Sequence, residues 1–187
     1  MQITLLRHGQ PDISTDKALR AKELGAWIKA YNAANLIAEH KPPKKTIAAV
    51  HACSTIVCSD LNRSIESANM LGVTKIDVTD SLFRELELPH GQFLSPKLPL
   101  KVWFVLFRVL WFLGYSNNSE SFKYAKLRAV SAAKKLAEMA ASHDSVVFIG
   151  HGFLNRFIAR ALLANGWCGP VDPGKNFWQF GVYNYAT

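Results

Sequence analysis

Two arginines and two histidines stand where a sheet could bring them together. Arg7 and His8 close the apolar run "ITLLRHG", His151 closes the run "VVFIGHG", and Arg63 lies five residues beyond the run "TIVC" in "TIVCSDLNR". An apolar strand that ends abruptly in charge and glycine presents its last side chains at the carboxyl edge of an open α/β sheet, where ligands bind. If the three exits share that edge, the four side chains converge where helix N-termini also aim backbone N–H groups, which makes an anion site. Each residue alone is an ordinary group, a hydrogen-bonded strand-end histidine or a surface arginine. The joint occurrence, each followed by a glycine or a helix start, carries the reading.

The elements that must hold these residues can be read from periodicity. Strands are expected at 2–7, 55–58 and 145–150, the last nearly all apolar as a strand covered on both faces should be, with a weaker one at 75–79 and another within "FWQFGVYNYA" near the C-terminus. Helical stretches fall at about 17–39, 61–71, 119–142 and 153–164. The third is the clearest: Phe122, Ala125, Ala129, Ala132, Ala133, Leu136 and Ala140 recur at three- and four-residue steps, and Glu120 is expected in the first turn, facing the positive end of the helix dipole. Ser59 or Asp60 is the expected N-cap of the second, which puts Arg63 in its first turn. Alternating strands and helices imply a three-layer α/β/α fold on a mainly parallel central sheet.

Composition sets the outer bounds. The 187 residues suit one domain, 1–187, with a substantial core. The odd set Cys53, Cys58 and Cys168, at spacings unlike a zinc site, reads as reduced thiols of a cytoplasmic protein. The start "MQITLLRHG" lacks the features of a signal peptide, so a cytoplasmic location is the default expectation. A net charge of +8 favours anionic ligands, phosphorylated metabolites among them. The basic run "HKPPKK" at 40–45 reads as a solvated loop. Nucleic-acid binding is disfavoured, because the aromatic residues cluster in a segment with only two basic ones instead of interleaving with Lys and Arg.

The segments "LLRHGQ", "VCSDLNRSIESA", "LFRELEL" and "VVFIGHG", in that order, together with "NSESF" before the long helix, resemble the signature segments of the histidine phosphatase superfamily, the phosphoglycerate mutase-like fold. The resemblance covers most of the chain apart from about residues 93–117. It implies a phosphatase that needs no metal or other cofactor and acts through a phosphohistidine on His8, with Arg7 and Arg63 clamping the phosphoryl oxygens and His151 donating to the same group. The single carboxyl group that serves first as acid and then as base is best matched by Glu85. Glu87 competes, because Gly91 stands four residues after it, as a glycine often does after the family's acid. Gln10 takes the place of a glutamate common in relatives and would contact phosphate or substrate. Ser59 would be a helix cap first and a phosphate contact second, and His90 would lie near the pocket mouth. The implied partner is a small phosphorylated substrate. The alternatives are a phosphoglycerate-type mutase, which would use the same residues, and a phosphate-binding or interaction module without chemistry.

Residues 98–115, "LPLKVWFVLFRVLWFLGY", fall outside that pattern. Between Val102 and Leu113 only Arg108 is polar, yet a helix of this length covers about 18 Å, short of the roughly 30 Å of a bilayer core, so no transmembrane span is expected. In a helix Lys101, Arg108 and Tyr115 form one thin polar stripe. The segment reads as an insertion packed on its own domain, a lid with the stripe toward substrate, a homodimer interface or a peripheral membrane contact.

Overall fold

The structure is a computed structural model that describes residues 1–186. Five strands form the central sheet in the order β4 (Val78–Thr79), β3 (Thr55–Cys58), β6 (Ser145–Gly150), β1 (Gln2–Arg7), β7 (Phe180–Asn184). All neighbouring pairs are parallel except β1 with β7, which is antiparallel. A separate two-stranded ribbon pairs β2 (Ala18–Leu19) with β5 (Leu98–Pro99).

β6 occupies the middle of the sheet, and from Val146 to Gly150 every residue is buried. Its successive side chains face opposite ways. Val146 and Phe148 join Ile3, Leu5 and Val57 under α5 (Phe122–His143) and α6 (Gly152–Ala164), while Val147 and Ile149 join Leu6, Ile56 and Cys58 under α2 (Lys44–His51) and α3 (Asn62–Met70). These two cores are the expected three layers. A third core lies to one side, where α1 (Leu24–Ala33) and α4 (Leu100–Phe112) bury Leu24, Trp27, Leu100, Trp103 and Phe107 against each other.

The helices depart from the periodicity reading in instructive places. The expected 17–39 helix is shorter: a 3-10 turn at Ala21–Glu23 leads into α1, and Ala34 is already extended. There the chain crosses the loop after β1, with Leu36 bridged to Pro11 and the Ile37 N–H donating to the Gln10 carbonyl (2.9 Å). The basic run at 40–45 is a loop only as far as Pro43, which caps α2. Proline is tolerated at a helix start because the missing N–H has no partner there anyway. The 75–79 strand shrinks to Val78–Thr79. In α5 the cap is Ser121, whose hydroxyl accepts from the Tyr124 N–H (3.2 Å). Glu120 therefore precedes the helix, and its carboxylate pairs with Arg128 (2.5 Å) instead of facing the dipole. The apolar insertion is helical as α4, with Trp111 anchoring its C-terminal end in the core under α5 and α6.

Candidate active site

Because β6 lies between β3 and β1, the three strand exits are adjacent. Arg7 is level with Gly150 and Cys58 with Ile149, and the His8 N–H donates to the Gly150 carbonyl (2.9 Å). Glycine is required at two points by close approach: a Cβ at Gly9 would sit 2.3 Å from the Trp178 ring, and one at Gly150 would sit 2.1 Å from the Phe148 ring.

His8, His151 and Arg63 are 2%, 0% and 2% exposed, and their hydrogen bonds define which ring nitrogens carry protons. His8 Nδ1 lies 2.6 Å from the Gly9 carbonyl, which can only accept, so Nδ1 holds the proton and Nε2 keeps its lone pair. Arg63 Nε, which can only donate, lies 3.3 Å from His151 Nδ1. The neutral His151 ring therefore carries its proton on Nε2, which donates to the Ser59 hydroxyl (2.7 Å). The two imidazoles meet edge to face, their centroids 5.1 Å apart. Burial pushes both well below the ordinary 6.5, and the charge of Arg63 pushes them further the same way.

The two guanidinium groups are held from outside the sheet. Arg63 Nη1 donates to the Asn32 side chain (2.8 Å), and its Cζ lies 4.9 Å from the centre of the Tyr31 ring, both residues coming from the last turns of α1. Arg7 Nη1 donates to the Lys175 carbonyl, its Cζ lies 4.4 Å from the centre of the Phe177 ring, and its buried Nε has no partner among the described residues. Burial lowers the affinity of both arginines for their protons, while Tyr31 and the Glu85 carboxylate raise it again.

Glu85 reaches the same edge through α6. Its carboxylate accepts from the N–H groups of Phe153 (3.1 Å) and Leu154 (2.8 Å) in the first turn of that helix, whose N-cap is His151, and from its neighbour Leu86 (2.9 Å). A carboxylate at a helix N-terminus is favoured by the dipole and the unpaired donors. Glu87, by contrast, is exposed and turned away, accepting from the Glu120 N–H (2.6 Å). Of the two candidate carboxylates, only Glu85 joins the histidines and arginines. Gln10 is half-buried on the next loop and is tied down through its carbonyl; its amide is not drawn into the hydrogen-bonded cluster. Ser59 is not the helix cap: α3 is capped by Leu61, and the Ser59 hydroxyl serves His151. Asp60 pairs with Arg84 (2.6 Å). His90 packs against Gly25 of α1, its ring 2.7 Å from where a Cβ would stand.

The family model of the histidine phosphatase superfamily (branch 1) matches residues 3–184. The chain belongs to that superfamily. No curated protein sequence matches it. Among solved structures, this chain is similar to an open-reading-frame product of Mycobacterium tuberculosis, with 16% identity, a TM-score of 0.63, and 100% of this chain and 95% of the other covered. It is also similar to a mycobacterial glucosyl-3-phosphoglycerate phosphatase (22%, TM-score 0.61, covering 97% and 88%). A phosphoglycerate mutase from Bacillus anthracis is a third relative in fold (17%, TM-score 0.54, covering 89% and 81%). At such identities the likeness is one of fold.

Four parts of this site carry no sequence motif. Tyr31 and Asn32 hold Arg63, and Lys175 and Phe177 hold Arg7. The one available signal for Tyr31 is its spacing, since Leu24, Trp27 and Tyr31 recur at three and four residues and mark the inward face of α1. Trp178, next to Phe177, adopts φ +64 and is fixed by the Thr46 hydroxyl donating to its carbonyl (2.9 Å), which sets the turn that carries Phe177 over Arg7. Two open hollows of the surface lie away from the histidines, one beside Leu82 and Arg128 and one beside Ala38 and Met70. His8, His151 and Arg63 are themselves buried.

Proposed function

We propose that this chain is a phosphomonoester hydrolase working through a phosphohistidine on His8. The observation that carries the proposal is the hydrogen bond from His8 Nδ1 to the Gly9 carbonyl. It leaves Nε2 unprotonated inside a pocket of two arginines, and burial keeps the ring neutral at and below neutral pH. In the first step the Nε2 lone pair attacks phosphorus, the P–O bond to the leaving group breaks, and that oxygen takes a proton from Glu85, whose carboxylate has first received it from the monoanionic form of the entering phosphomonoester. In the second step the Glu85 carboxylate accepts a proton from water as the water oxygen attacks phosphorus. The P–N bond then breaks, releasing inorganic phosphate and restoring both side chains. Arg7 and Arg63 neutralise the oxygens of the phosphoryl group, and His151 donates its Nε2 proton to one of them, exchanging Ser59 for the substrate. Gln10 supplies an amide at the rim. Such a transfer needs positioning and electrostatic stabilisation above all, which fixed cations provide. No step requires a metal ion. The substrate class is a small phosphorylated molecule.

A mutase reading has one observation on its side: a nucleophile only 2% exposed is shielded from water, as a phosphoenzyme awaiting a second acceptor must be. One experiment addresses both. Hydrolysis of p-nitrophenyl phosphate in excess chelator is measured for the wild type and His8→Ala, and the acid-labile phosphoenzyme is trapped and timed. Activity that survives chelation and vanishes in His8→Ala, with a phosphoenzyme that water discharges within a turnover, supports the hydrolase. A phosphoenzyme stable in water but discharged by an alcohol acceptor supports the mutase, and an active His8→Ala variant refutes both.

A further inference from the structure

α4 has two apolar faces, and the fold uses only one of them. Leu100, Trp103, Phe107 and Trp111 are buried, while Val102, Val105, Leu106, Val109, Phe112 and Leu113 are between 40% and 79% exposed. At 3.6 residues per turn these six lie within one arc of about 120°, a continuous ridge along the whole helix. Scattered exposed aliphatic residues need no explanation, but a full-length stripe of them does.

The charge distribution says what covers it. Residues 88–137, which contain α4 and most of α5, hold eight of the chain's Lys and Arg residues and one acidic residue, Glu120; the rest of the chain holds fourteen against thirteen. Within that segment Lys134 and Lys135 pair with Glu138 and Asp80 outside it, which leaves a surplus of five positive charges, more than half of the +8, on the segment that bears the ridge. Glu120 is itself neutralised by Arg128. Lysines bracket the ridge, Lys97 and Lys101 before it and Lys123 and Lys126 after it. The far end is joined to α5 where the Phe112 and Phe122 rings meet at 5.1 Å and the Lys126 ammonium lies 5.7 Å from the Phe122 ring centre.

We propose that α4 docks on an anionic lipid surface, lying in the plane of the headgroups with Val105, Val109 and Leu113 inserted and the bracketing lysines on the lipid phosphates. An apolar face between basic flanks is the pattern of an interfacial helix. At 13 residues α4 is about 20 Å long, too short to span a bilayer, and among the described residues no helix is long and apolar enough to do so. A second copy of the chain is the poorer occupant, because pairing two such faces sets the basic segments of both against each other. The inference rests on α4 and its charges, and it stands or falls independently of the hydrolase reading.

The test is co-sedimentation of the full chain with vesicles of phosphatidylcholine alone and of phosphatidylcholine mixed with phosphatidylglycerol. Binding is expected only to the mixed vesicles, and it should weaken as salt rises. Each lysine close to an anionic surface contributes about fivefold, so Lys123→Glu with Lys126→Glu should lower the partition coefficient by an order of magnitude or more. Val105→Asp with Val109→Asp alters only exposed positions, and should abolish binding while leaving the circular dichroism and aryl-phosphate hydrolysis as in the wild type. Failure to bind the mixed vesicles at low salt would overturn the proposal, as would binding that survives Val105→Asp with Val109→Asp. A dimer in sedimentation equilibrium that the same pair dissolves would assign the ridge to a second copy and equally overturn it.

Discussion

The proton positions on His8 and His151 follow from partners that can act in only one way: a carbonyl accepts from His8 Nδ1, and a guanidinium donates to His151 Nδ1. The same two neutral rings therefore present opposite chemistry, a lone pair on one and a donor on the other. Glu85 is a third fixed group, and its role is separable from its place at the α6 N-terminus because the single amide oxygen of glutamine can still accept from the Leu86 and Leu154 N–H groups, which share one carboxylate oxygen, while only the Phe153 N–H loses its acceptor. Glu85→Gln should fold normally and lose about 10²-fold in kcat on an alkyl phosphate, whose leaving group needs a proton, but much less on p-nitrophenyl phosphate, whose leaving group does not. Glu87→Gln, at an exposed carboxylate outside the cluster, should change neither rate by more than about twofold, as is usual for surface substitutions. Equal losses on both substrates for Glu85→Gln would mean that the carboxylate only caps the helix.

α4 bears on the site through the loop that carries Glu85. Arg108 donates to the carbonyls of Leu86 (3.3 Å) and Glu87 (3.2 Å) while its Cζ lies 4.3 Å from the Phe153 ring centre and 4.6 Å from that of Trp111, so one side chain ties α4, the Glu85 loop and the start of α6 together. The polar stripe, which the lid reading would turn toward substrate, does something else: Arg108 clamps this loop and Tyr115 stacks on Phe107. Arg108→Ala leaves two carbonyls without that partner and should cost about 1–3 kcal/mol in urea unfolding. It should also reproduce in part the leaving-group dependence of Glu85→Gln; a stability loss with unchanged rate ratios would confine Arg108 to packing. Lysine cannot restore the two-carbonyl grip. The strand exits were legible in the sequence because buried parallel strands must be apolar throughout and must stop where chemistry begins, and α5 was legible from its alanine spacing. The α2 helix was not, because the prolines that suggest a loop sit just where a helix start tolerates them. Tyr31, Asn32 and Phe177 were not legible either. Their part in the site depends on how α1 and the turn before β7 lie across the strand exits, which no local pattern encodes.

At the scale of the whole molecule, the buried titratable groups bound the pH range over which the fold is stable. His8 and His151 in the folded chain lie well below 6.5, chiefly through burial, so below that value the unfolded chain binds protons that the folded chain refuses. The stability present above pH 6.5 is therefore lost as pH falls from there toward the depressed folded values, at a slope of up to about 2.7 kcal/mol per pH unit while both rings differ fully between the two states. On the alkaline side burial pushes the Cys58 thiol from 9.0 up to about 12, so the folded chain keeps a proton that the unfolded chain releases, and stability falls again as pH rises above 9. Asp77 and Asp80, held low by a backbone N–H and by Lys135 respectively, lie at the surface and act only in a separate window below about pH 4. Urea midpoints should thus form a plateau between about pH 6.5 and 9 with a steep acid shoulder. His151→Asn should remove about half of the acid slope without moving the alkaline edge, and Cys58→Ala should soften the alkaline edge, to which the Cys53 thiol, also pushed up by burial, still contributes, without moving the acid shoulder. A midpoint that stays level from pH 7 to 5 would mean that the two rings are protonated in place, and with them the nucleophile that His8 is proposed to be.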